Sequence, residues 1–245
     1  MKRAVLDTLQ QARAHKRPVA LVTDLETGHA AVYDDGEVVA GSLMLSAPAL
    51  HAVANAIQRD RSGRLPDPND HLMVEVFNPP LRLVVVGAVH IAQALAPMAQ
   101  IAGYEVTVVD PRRAFATDAR FPRVAMRHDW PDEALQALQP DRRTAVITLT
   151  HDPKLDDPAL RTALASPAFY IGALGSTRTH AKRLERLADE GLSDDQLRRI
   201  HGPLGLPLGG RAPAEIAIAA LAQMTQVLHG APPLEKRASA DAAAD

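Results

Sequence analysis

The chain has 245 residues, 47% of them hydrophobic and 23% charged, with a formal net charge of -2 and a pI near 6.5. This is the composition of a globular chain long enough for one large core or two smaller ones, and it lacks the basic excess that nucleic-acid binding needs. It contains no cysteine, which excludes disulfides, thiolate metal ligands and cysteine nucleophiles.

No apolar run approaches the roughly 18 residues of a membrane span, so no membrane association is expected. Met1-Lys2-Arg3 leads into an amphipathic stretch containing Asp7 rather than a signal-peptide core, which makes the cytoplasm the expected location. In chain order, Val5, Leu6, Leu9 and Ala12 recur at helical spacing, and PVALVTDLE reads as a strand. HAAVYDDGEVVAG places two apolar runs around Asp34-Asp35-Gly36, a hairpin pattern. Ser46-Ala47-Pro48 offers an N-cap and an early proline for a helix over ALHAVANAIQRD. Arg61 to Asp70 reads as a loop, HLMVEVF as a strand, and Asn78-Pro79-Pro80 as a domain boundary.

Beyond that boundary strands alternate with helices, the signature of a parallel sheet covered on both faces. The expected strands are Arg82–Val86, Glu105–Val109, Val124–Arg127, Thr144–Thr150 and Ala168–Ile171. Helices are expected over Arg178–Asp189, Asp194–Ile200 and from Pro213 onward. The reading is therefore an α/β chain: a small α+β domain over 1–78, a Rossmann-like domain over 79–230, and a disordered tail over 231–245.

In such a sheet ligands sit outside the carboxyl ends of the strands, and four strand ends carry candidate residues. LRLVVVGAVHIAQAL begins a βαβ unit in which Gly87 makes the turn, His90 opens the helix and Ala92 allows close packing. Val89 replaces the middle glycine of the dinucleotide pattern G-x-G-x-x-G/A, and its branched side chain points where a pyrophosphate would approach. Asp110, 23 residues after Gly87, suits either a ribose 2′-hydroxyl or a helix cap before Pro111; Arg112 and Arg113 beside it are either phosphate ligands or solvated. His151, with Asp152, Lys154 and Asp156, gathers groups able to transfer protons or hold a cation, but only one histidine stands among them, so no metal site is expected. After the fifth strand, Gly172 and Gly175 free the backbone, Ser176 can cap the next helix, and Arg178 sits in its first turn, where a cation opposes the helix dipole unless an anion is near. His201, Gly202 and Arg211 lie in a glycine-rich stretch before a proline-started helix, a second candidate phosphate loop.

Taken together, VVVGAVHIAQAL, VTVVDPR, LTHDPKLD, YIGALGSTRTHAKRL, EGLSDDQLRRIHGPLGL and APAEIAIAALA resemble, in order and spacing, the Rossmann-type domain of the XdhC/CoxI family, over about Pro80 to His229. Members are accessory proteins of molybdenum hydroxylases such as xanthine dehydrogenase. The resemblance implies a maturation factor rather than an enzyme: a chaperone that carries the molybdenum cofactor, a phosphorylated pterin or its dinucleotide form, to a molybdenum hydroxylase client. Gly87 and His90 match the family's G-x-G-H turn except at Val89. His151, Gly175, Ser176, Arg178, Gly202, Pro203 and Arg211 fall on matching positions, so the implied cofactor site comprises Gly87, Val89, His90, Asp110, His151, Gly175, Ser176, Arg178, His201, Gly202 and Arg211. Family resemblance and a small first domain together suggest a homodimer. In that first domain, Leu43 to Pro48 stands where the family has a glycine-rich, cysteine-containing segment, and the loop around Thr27-Gly28 is short. An NAD(P)-dependent oxidoreductase and a scaffold member without a ligand are the alternatives.

Overall fold

The computed structural model describes residues 2–232. The chain divides into two compact units, Met1–Pro79 and a second starting at Pro80. The tail expected to be disordered lies, from residue 233 on, outside the described residues. Among the described residues no helix is long and apolar enough to cross a membrane.

The first unit runs α1 (Arg3–Ala14), β1 (Val19–Asp24), β2 (Ala30–Asp34), β3 (Glu37–Gly41), α2 (Ala47–Gln58), β4 (Gly63–Arg64) and β5 (Leu72–Phe77). Its strands form an antiparallel sheet in the order β3-β2-β1-β5-β4. The β2–β3 turn uses Asp35 and Gly36 with φ of 44° and 93°, the left-handed pair that a two-residue hairpin requires. Alternate residues of β1 serve opposite faces, as the strand period of two dictates. Val19 and Leu21 pack with Val5, Leu9 and Ala12 of α1, whereas Ala20 and Val22 pack with Ala49 and Val53 of α2. Ser46 caps α2 by accepting from Ala49 N at 3.3 Å. The Arg61 to Asp70 stretch, expected as pure loop, contributes the two-residue β4, which pairs with Val74 and Met73 and is too short to show periodicity.

The second unit runs β6 (Leu81–Val86), α3 (His90–Ile101), β7 (Tyr104–Val109), β8 (Ala125–Arg127), α4 (Pro131–Leu138), β9 (Thr144–Thr148), α5 (Pro153–Leu164), β10 (Tyr170–Ala173), α6 (Thr177–Asp189), α7 (Asp194–Leu197), β11 (Ile200–His201) and α8 (Pro213–Leu228). All six strands are parallel, in the order β11-β10-β9-β6-β7-β8. This is the doubly wound Rossmann order, and its direction reverses between β6 and β9. Leu83 and Val85 of β6 face a core shared with α3 and α8, while Val84 and Val86 face one shared with α4 and α5.

Several boundaries shift by one to three residues from the expectation, and two of the shifts have a visible cause. The helix read over Asp194–Ile200 stops at Leu197, because the Ser193–Gln196 capping box starts only one turn before Ile200 and His201 pair with Ile171 and Gly172 as β11. The strand read from Ala168 begins at Tyr170. Arg199 donates to the carbonyls of Leu164, Ser166 and Ala168 at 2.7, 2.9 and 3.0 Å, so the end of α5 and the chain leading to β10 are tied to a side chain rather than to a strand.

Candidate anion cleft at the carboxyl edge of the sheet

The first crossover turn is closed by the protein's own groups. Gly87 has φ of 112°, and a Cβ there would lie 2.8 Å from Thr150 Cγ2, so glycine is needed both for the turn and for the approach of the β9 end. Asp110, read as suiting either a ribose hydroxyl or a helix cap, is fully buried. Its carboxylate accepts from Ala88 N at 2.8 Å and from Arg112 N, Nε and Nη2 at 3.0, 2.9 and 2.8 Å. Burial alone would raise its pKa, but the bonds from Arg112 and Ala88 outweigh it and hold the carboxyl below its ordinary range. Arg120 reaches across from the β7–β8 connection and donates to Ala88 O at 2.9 Å, Phe115 O at 2.6 Å and Gln93 Oε1 at 3.0 Å. Both polar groups of Ala88 are therefore used internally. Val89 is only partly exposed and packs against the core under α3. His90 is exposed at the start of α3.

A second site lies where β9 and β10 end. After β9, His151 takes φ of 61° and Asp152 caps α5, accepting from Lys154 N at 3.0 Å. After β10, Gly175 with φ of 147° delivers the chain to Ser176, which caps α6 by accepting from Thr179 N at 3.2 Å. Between these two helix starts is a cleft of ≈ 200 Å³ lined by His151, Pro153, Asp156, Arg178, Thr179, Lys182, Arg183 and Arg186. Arg178, Lys182 and Arg186 stand four residues apart along α6, and Arg183 lies beneath them with 2% of its surface exposed. Like charges at this spacing weaken a helix, as does a cation in its first turn, so the stripe is held against local helix preference.

The acids beside the cleft are already committed. Arg186 Nε and Nη2 donate to Asp157 at 2.7 and 3.1 Å. Asp156 Oδ1 accepts from Thr150 Oγ1 at 2.7 Å, and its Oδ2 lies 3.6 Å from Arg183 Nη2, which instead donates to Leu174 O at 2.9 Å. Burial raises the pKa of Asp156 despite Thr150 and Arg183, and burial lowers that of Arg183 despite Asp156. Desolvation thus outweighs attraction in this pair.

A family model described as the XdhC Rossmann domain matches residues 83–224. The chain belongs to the XdhC family. Among relatives, it is 34% identical over 151 residues to the molybdenum cofactor insertion chaperone PaoD of Escherichia coli strain K12, covering 62% of this chain and 41% of that protein. It is 29% identical over 183 residues to the uncharacterized protein YqeB of the same strain, covering 73% and 32%. It is 28% identical over 161 residues to a probable xanthine dehydrogenase component of Bacillus subtilis strain 168, covering 65% and 47%. The chain thus spans between 32% and 47% of the length of these curated relatives. The fold also resembles the crystal structure of a protein described as a xanthine dehydrogenase from Bacillus halodurans, with a TM-score of 0.71 at 23% identity, covering 94% of this chain and 68% of that one.

In this XdhC-family chain, His151 and Arg178 line the cleft, and Gly175 and Ser176 form the turn that opens α6 beside it. Val89, His90, Asp110, His201, Gly202 and Arg211 are not among the lining residues. His201 stacks on Tyr170 with ring centroids 4.7 Å apart, and burial lowers its pKa. Gly202 packs so tightly against the His180 ring that a Cβ has no room. At the second candidate loop Glu215 accepts from Arg211 N and Ala212 N at 2.8 and 2.9 Å, placing a carboxylate at the start of α8. Lys182, Arg183 and Arg186 are site residues that the motifs do not single out, although the spacing of Arg178, Lys182 and Arg186 is itself a legible signal of a one-sided cationic face.

Proposed function

We propose that this chain is an accessory chaperone that holds the molybdenum cofactor and passes it to a molybdenum hydroxylase client, working as a homodimer. The observation that carries the reading is the placement of four cationic side chains in one cleft at the carboxyl edge of an XdhC Rossmann sheet, while the Gly87 turn spends its polar groups on Asp110 and Arg120. One relative, PaoD, is named as a molybdenum cofactor insertion chaperone, which supports this role. A phosphorylated pterin suits the donor set, since Arg178, Lys182 and Arg183 supply only N–H donors and a phosphate only acceptors. With no cysteine in the sequence a thiolate ligand to the metal is excluded, and Arg178, Lys182 and Arg183 are the residues that would hold the phosphate end. The dimer is supported by the edge strand β3, where Val38 and Val39 are both exposed.

The reading is tested by purifying the protein from cells that make the cofactor and identifying released small molecules by mass spectrometry. A phosphorylated pterin at near one per chain is expected. Release of NAD(P) instead, or no pterin after incubation with excess cofactor, would overturn it.

A further inference from the structure

Of the buried side-chain atoms without a hydrogen-bond partner, three belong to one ion pair: Asp156 Oδ2, Arg183 Nε and Arg183 Nη1. A guanidinium with two of its three nitrogens unpaired in the interior is costly, and no side chain among the described residues relieves it. Its position is informative. Arg183 forms part of the cleft lining, and its Nη1 lies 3.7 Å from where a Cβ at Gly175 would stand, so the missing side chain leaves space beside this nitrogen. The guanidinium is anchored only through Nη2, to the Leu174 carbonyl, and faces Asp156 at a distance too long for a hydrogen bond. It can turn toward the cleft without breaking a bond to Asp156.

The charge of the site sets the class of ligand. Arg178, Lys182, Arg183 and Arg186 face Asp156 and the Asp157 that pairs with Arg186, so four cations against two carboxylates leave an excess of two positive charges. The backbone N–H groups at the start of α6 add the positive end of a helix of 13 residues. A carboxylate would neutralise half of this excess. A phosphate monoester, close to a dianion at neutral pH, neutralises all of it. We propose that the cleft is a phosphate monoester site in which Arg178 and Lys182 receive the ligand at the mouth and Arg183 binds it from the floor. That the ester is a pterin's rests on the function proposed above; the phosphate site itself rests on Arg183 and the charge excess.

Thermal melts of the purified full chain, freed of small molecules, test this with inorganic phosphate and glycerol 3-phosphate against sodium chloride of equal ionic strength. Both phosphates at about 20 mM are expected to raise Tm by about 3 °C or more over chloride, the mass-action effect of a ligand well above its Kd. Arg178→Ala combined with Lys182→Ala removes two side chains at the mouth of the cleft, so it should fold normally and lose that rise. Arg183→Lys keeps the charge but not the fork, and should weaken phosphate binding about tenfold or more. Equal Tm in phosphate and chloride, or a full rise in the doubly substituted protein, would overturn the site. A phosphate rise in a protein that never retains a pterin would uphold the site and remove the chaperone reading. Capture of a pterin with no phosphate effect and no loss on dephosphorylating it would do the reverse.

Discussion

Replacing Asp110 by alanine should unfold the second unit more easily without touching the anion cleft. In the folded chain Ala88 N–H is buried and has the Asp110 carboxylate as its acceptor, so truncation strands it, at a cost of about 1–3 kcal/mol. The Arg112 side chain is 39% exposed and rehydrates once released, which limits the loss of that ion pair to about 1 kcal/mol or less. Together these give about 2–4 kcal/mol, or a Tm lower by about 5–15 °C for a chain of this size. Asp110→Asn keeps an acceptor for Ala88 and loses only the charge, so it should cost about 1 kcal/mol. Because the folded carboxyl titrates below its unfolded value near 3.9, its contribution is complete above that pH and fades as the pH falls through the folded value. The gap between parent and Asp110→Asn should therefore stay constant from about pH 5 to 8 and close in acid. Melts followed by circular dichroism decide it. An alanine variant within about 2 °C of the parent would show that Asp110 does not hold the turn, and an asparagine variant as damaged as alanine would show that the charge facing Arg112, not the acceptor for Ala88, holds it.

The buried pair should behave as a site feature rather than a stabilising one. Asp156→Asn or Arg183→Met alone should cost about 3 kcal/mol in urea denaturation by leaving one charge unpaired, whereas the double variant should lie within about 1 kcal/mol of the parent; additive losses would refute this. Self-association should be visible as a dimer in sedimentation equilibrium, and Val39→Lys on the exposed edge of β3 should shift it to monomer. A parent that sediments as a monomer at all concentrations removes that element of the proposal.

What could be read from the sequence follows the range of the interactions involved. The strands β6 and β7 and the Asp35-Gly36 turn are written in local patterns, apolar runs and a glycine where φ must be positive, and they lie where those patterns put them. Strand β11 and the start of β10 are set by a neighbouring strand and by Arg199 gripping carbonyls more than 30 residues away, and no local window contains that information. The same distinction runs through the site. Ser176 and Arg178 are legible because capping and helix dipoles act within one turn. Arg183 is not, because its meaning comes from Asp156 and Leu174, supplied by other elements. Asp110 stays ambiguous in sequence for a related reason: an acid at the end of a second strand looks alike whether it points to a ribose or back at Ala88.

The connection from Asp110 to Val124 also bears on how readily this scaffold could be re-engineered. Arg120 alone spans three segments, the Ala88 turn, Gln93 in α3 and its own loop at Phe115, while Arg112 lies over the Phe115 ring 4.8 Å from its centroid. These contacts form a latch over the place where other doubly wound sheets admit a dinucleotide. Opening it requires shortening or rebuilding the whole connection, since a glycine at position 89 would leave every strut of the latch in place. Redesign of this turn to admit a dinucleotide is thus a problem of loop grafting, not of point substitution.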